Sequence, residues 1–147
     1  MSDLVCIVTN SPPCWVQSSC CRFLPNLAII LKDNRVGILS AKGVYQPLLP
    51  GQPLAWKHQA FGWLCRYATE QLALDIGSLT VIGDSDCEMQ AGRQVSRSLG
   101  MNSYKQVKVH RASAFMIAKQ LICLKHQLSS IIRSSEDKEV LLIGQQL

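Results

Sequence analysis

No stretch of this chain joins apolar character to membrane-spanning length. Its uninterrupted apolar runs stay far short of the ~20 residues a transmembrane helix needs, and Met1-Ser2-Asp3 places no basic patch ahead of a long apolar segment. A helical membrane anchor and a secretion leader are therefore not expected. Seven cysteines are present, but none form a Cys-x-x-Cys pair. That leaves a structural zinc site without its usual framework. An odd number of cysteines with no leader predicts free thiols in a reducing, cytoplasmic setting. The net charge of +5 comes from scattered Lys and Arg. With neither a basic stripe nor interleaved stacking aromatics, it points away from nucleic acid. No internal repeat, low-complexity tract or linker interrupts the chain.

What remains is 147 residues, 48% apolar, enough for one domain with a substantial core. Leu4 to Val8 is a continuous apolar run, the pattern of a strand buried on both faces of a parallel sheet. It stops at Thr9-Asn10-Ser11-Pro12-Pro13, after which Trp15, Ser19 and Phe23 fall four apart. Val36 to Leu39 reads as a second buried strand. Trp56, Ala60, Leu64, Ala68 and Leu72 then mark a helical stripe. Leu79 to Ile82 is a third strand, followed by a helix over Glu88 to Leu99 that ends at Gly100. Gln106 to Val109 alternates polar with apolar, as an edge strand with one wet face would. Ser113 caps a long helix carrying Leu121, Leu124, Leu128 and Ile131 at helical spacing. Ser134 to Lys138 is polar, and Val140 to Ile143 is a short apolar tail. Alternation of strands and helices predicts an α/β fold with parallel strands.

In open α/β sheets, ligands sit beyond the carboxyl ends of the strands, and three of these ends carry suitable residues. Thr9 and Asn10 close the first, Ser40 the second, and Asp84, Asp86 and Glu88 the third. A Thr hydroxyl can donate to a phosphoryl oxygen, although Thr or Asn after a strand also serves as a helix cap. Lys57 stands in the first turn of its helix, where its charge opposes the helix dipole, so helix stability does not account for it. Asp84, supported by Glu88, is the best Mg²⁺ candidate, since hard cations bind one or two carboxylates plus water and phosphate. Helix capping explains the same acidic residues.

The order of these segments resembles the haloacid dehalogenase-like superfamily, mostly Mg²⁺-dependent phosphatases. Val8-Thr9-Asn10 is similar to its second motif, Trp56-Lys57-His58-Gln59-Ala60-Phe61 to its third, and Gly83-Asp84-Ser85-Asp86-Cys87-Glu88 to its acidic fourth. The run from Leu39 to Lys57 is similar to a poorly characterised eukaryotic branch. The resemblance implies a Rossmann-like three-layer sandwich with a mostly parallel sheet. Residues 1–133 would form the core, incomplete on its amino-terminal side, and 134–147 a polar segment and apolar tail. It implies phosphate binding by Thr9, Asn10 and Lys57, and Mg²⁺ at Asp84 and Glu88. The family's first motif, D-x-D-x-T/V, which carries the nucleophile, is missing. Asp84-Ser85-Asp86 offers D-x-D, but Glu88 stands where Thr or Val belongs. Without that motif the chain lacks the middle strand. The expectation is an inactive fragment or truncated phosphohydrolase, or a non-catalytic module that binds a phosphorylated small molecule, a phosphoprotein, or a protein partner completing the sheet. Neither membrane nor nucleic acid is expected as a partner.

Overall fold

The computed structural model describes residues 4–142. The chain divides into two compact units, Met1–Asp75 and Ile76–Leu147. Among the described residues it is an α/β protein whose parallel strands make two small sheets.

The first unit contains β1 (Cys6–Thr9), α1 (Trp15–Phe23), α2 (Pro25–Asp33), β2 (Gly37–Ser40), α3 (Ala41–Tyr45) and α4 (Pro53–Gln71). β1 and β2 pair in parallel from Cys6 opposite Gly37 to Thr9 opposite Ser40, so their carboxyl ends are level. The core joins Ala41, Trp56 and Ala60 to Val8, Leu39, Tyr45 and Leu49. Along α4 the four-residue stripe buries Trp56, Ala60 and Ala68 as its spacing predicts; Leu72 lies past the last turn and is exposed. The spacing marks α1, but the buried face is another one. Val16 and Cys20 are buried, while Trp15 and Phe23 are 54% and 69% exposed. With Leu24, Ile29 and Ile30 these side chains leave α1 and α2 with a large uncovered apolar surface. Burial raises the pKa of the Cys6 and Cys65 thiols, and all seven cysteines are free.

The second unit contains β3 (Ser78–Gly83), α5 (Asp86–Ser98), β4 (Ser103–Val109), α6 (Ala114–Arg133) and β5 (Lys138–Leu142), with sheet order β3-β4-β5, all parallel. α5 packs on one face through Gly92, where a Cβ would fall 2.6 Å from Val81 Cγ2 and 2.9 Å from the Tyr104 ring. On the other face α6 buries Leu124 and Ile131 against Val107 and Leu142. β4 is not an edge strand: the apolar tail forms β5 and pairs with it, burying Ser103 through Val107. The polar alternation in β4 marks buried residues with local partners. Lys105 Nζ donates to Ser103 Oγ at 2.6 Å, and Arg93 donates to Gln106 Oε1 at 3.1 Å. Leu142 ends β5, and Ile143 lies outside the described residues. Among the described residues no helix is long and apolar enough to cross a membrane.

Candidate functional site at the strand ends

In the first unit the chain leaves β1 through a tight turn in which Ser11 N–H donates to Thr9 Oγ1 at 3.0 Å. A hydroxyl has two lone pairs and one proton, and this bond uses a lone pair. Among the described residues nothing accepts the Thr9 proton, which is left to donate. Beside it, Ser40 Oγ donates to Ser11 O at 2.6 Å and accepts from Gly43 N at 2.9 Å, tying the end of β2 to the same turn while capping α3. Thr9 and Ser40 line a cleft of about 320 Å³ whose far wall is Cys14 to Gln17, at the start of α1. Cys14 holds φ 64, a left-handed conformation, as the chain turns into that helix.

Lys57 lies 3% exposed, and its ammonium donates to the carbonyl of Val8, one residue before Thr9. α4 begins at Pro53, earlier than the sequence suggests, so Lys57 falls in its second turn and not its first, and that turn delivers a cation to the carboxyl end of β1. Trp56 holds that turn in place, donating from Nε1 to Leu49 O at 2.6 Å. Asn10 Oδ1 is buried with no hydrogen-bond partner among the described residues, which leaves an acceptor available to a donor group. Thr9, Asn10 and Lys57 therefore meet at one strand end, although Lys57 packs beneath Val8 and is not part of the cleft wall.

In the second unit the acidic residues follow β3. Ser85 and Glu88 form a capping box, with Glu88 Oε2 accepting from Ser85 N at 3.4 Å. Gly83 makes room for it: a Cβ there would fall 2.0 Å from Glu88 Oε2. Asp84 Oδ2 accepts from Arg111 Nε at 2.5 Å, and Asp86 Oδ1 from Lys108 Nζ at 2.5 Å. Asp84 in turn raises the pKa of the Arg111 guanidinium by hydrogen bonding and charge. Both basic partners come from β4 and the turn after it. Parallel pairing puts that turn next to the Asp84 loop, so only knowledge of the strand pairing points to Arg111.

Among the described residues no three His, Cys, Asp or Glu side chains are grouped to hold a metal. Asp84 is neutralised by a guanidinium and Glu88 caps α5. This arrangement does not fit a Mg²⁺ centre, and no chemical step through the metal is derived. Comparison with family models, curated proteins and solved structures finds no match.

Proposed function

We propose that this chain is a fragment or truncated form of a haloacid dehalogenase-like phosphohydrolase, inactive by itself. The meeting of Thr9, Asn10 and Lys57 at one strand end carries the reading: a hydroxyl with an uncommitted proton and a buried ammonium suit an oxyanion, and the adjoining cleft begins at a helix amino terminus. In the complete enzyme, on this reading, the fold is a Rossmann-like three-layer sandwich. An upstream D-x-D-x-T/V strand supplies the nucleophile, and the Lys57 ammonium helps balance the charge that develops on the phosphoryl group. In this chain a guanidinium, that of Arg111, stands beside Asp84.

That last contact also favours a second reading, a non-catalytic cytoplasmic module that binds a phosphorylated ligand or a protein partner completing a sheet. Phosphatase assays on the purified chain, with p-nitrophenyl phosphate and millimolar Mg²⁺, test inactivity. No turnover is expected. Metal-dependent turnover abolished by Asp84→Asn overturns it. Adding an apolar strand with D-x-D-x-T/V ahead of Leu4 separates the two readings: the truncated enzyme gains Mg²⁺-dependent turnover sensitive to Lys57→Met, and the module gains none.

A further inference from the structure

α6 is buried along one side only. Gln120, Leu124 and Ile131 form its inner face, with Leu124 and Ile131 packed against Val107 and Leu142. On the outer face Phe115 and Ile122 are 67% and 59% exposed. With 3.6 residues per turn, Phe115, Ile122, His126 and Arg133 fall within about 40° of one line along the helix, with Lys119 on one flank and Lys125 on the other.

Charge on this face is of one sign. α6 contains no Asp or Glu. Lys119, Lys125 and Arg133 have no ion-pair partner among the described residues. Lys119 Nζ lies 4.7 Å from the Phe115 ring centroid, which sets a cation directly beside the most exposed apolar side chain of the helix. The acids of this unit are engaged elsewhere: Asp84 and Asp86 with Arg111 and Lys108, Glu139 with Arg93, Glu88 in its capping box and Asp137 with the Tyr104 amide. Glu136 follows the helix, in the turn beyond Arg133. The helix dipole favours Arg133 in the last turn, but it does not account for Lys119 and Lys125 further up.

We propose that α6 rests its outer face on a lipid surface rich in anionic headgroups. Phe115 and Ile122 enter the headgroup boundary. Lys119, Lys125 and Arg133 keep their charges among the headgroup phosphates and carboxylates, while their aliphatic stems cover apolar surface. A fluid leaflet supplies negative charge wherever a cation stands, whereas a protein partner must carry its acids at matching positions along the helix; this favours lipid. Among the described residues no helix can cross a membrane, but lying flat on one asks for a single apolar face. The sequence alone points away from a membrane because these cations look scattered along the chain, and only the helix gathers them on one side. The proposal does not depend on the strand-end site around Thr9, which lies in the other unit.

The test is co-sedimentation of the full chain with vesicles of phosphatidylcholine, with and without about one-third phosphatidylserine, at pH 7.4 and low salt. Each Lys or Arg near an anionic surface strengthens binding by about fivefold, so the anionic vesicles should bind at least about tenfold more tightly than the neutral ones. Lys119→Gln with Lys125→Gln should weaken that binding by about tenfold or more, and Phe115→Ser with Ile122→Ser by several-fold. Lys32→Gln with Arg35→Gln, which removes the same net charge from the exposed surface of the first unit, should change it by less than about twofold. None of these positions is buried, and circular dichroism of each variant reports whether the fold is kept. Equal binding to neutral vesicles, indifference to the α6 variants, or an equal loss in the first-unit variant would each overturn the proposal. Saturable binding of polyglutamate without binding to vesicles would overturn it in favour of an acidic protein partner.

Discussion

Tyr104 tests how α5 is seated on its sheet. Its phenol is buried and donates to Met89 O at 2.8 Å, with the ring packed where Gly92 lacks a side chain. Burial pushes its pKa up to about 12, with Glu139 raising it further and Arg93 opposing. A folded value above the unfolded one means that stability is fully present below pH 10 and is lost as pH rises toward 12. By pH 11 the loss is roughly 1.4 kcal/mol. Tyr104→Phe removes both the hydrogen bond and this titration. At pH 8 the variant should be less stable by about 1 kcal/mol, the usual net value of one such bond. At pH 11 the wild type has lost slightly more than that, so the gap between the two urea midpoints should close and slightly reverse. Other groups titrating in this range cancel in the difference. Absorbance at 295 nm on the native protein should show one tyrosinate forming near pH 12 that the variant lacks. A gap of unchanged size from pH 8 to pH 11, or ordinary titration of every tyrosine, would refute the packing described.

Further outcomes follow from the same contacts. Gly92→Ala improves helix propensity by up to about 1 kcal/mol but overpacks Val81 and Tyr104, and overpacking costs ~1–3 kcal/mol. The variant should be destabilised by about 1 kcal/mol in urea unfolding, and a stabilised variant would contradict the close approach of α5. Lys105 is 1% exposed and burial lowers its pKa, so its contribution to stability rises with pH up to its unfolded value of 10.5. Lys105→Met should raise stability at pH 7 by about 1 kcal/mol and remove that rise, as read by thermal melts across pH. Millimolar Mg²⁺ should leave the melting temperature of this chain unchanged, because Arg111 already neutralises Asp84. A clear Mg²⁺-dependent stabilisation lost in Asp84→Asn would show that the guanidinium yields to the metal.

Periodicity and punctuation in the sequence determined the elements. Continuous apolar runs specified β1, β2 and β3, because strands of a parallel sheet bury both faces, and four-residue apolar spacing specified α4, α5 and α6. Ser113 and Gly100 marked helix boundaries through hydrogen bonds and backbone conformations that are local in the chain, whereas α5 starts at Asp86, with Ser85 as its cap, ahead of the Glu88 that the sequence suggests. The residues around Thr9 were legible for the same reason, since a polar cluster directly after a buried strand falls at the sheet's ligand-binding end. Pairing and partner choice were decided only in three dimensions. The alternation in Gln106 to Val109 fits a wet edge equally well as a central strand whose Lys105 and Gln106 find buried partners, and the choice rested on where residues 138–142 docked. The exposed face of α1 depended on α2 packing beside it. Arg111 met Asp84, and Glu139 met Arg93, only because parallel strands and the helix between them bring distant segments level, and separation along the chain does not encode such neighbours.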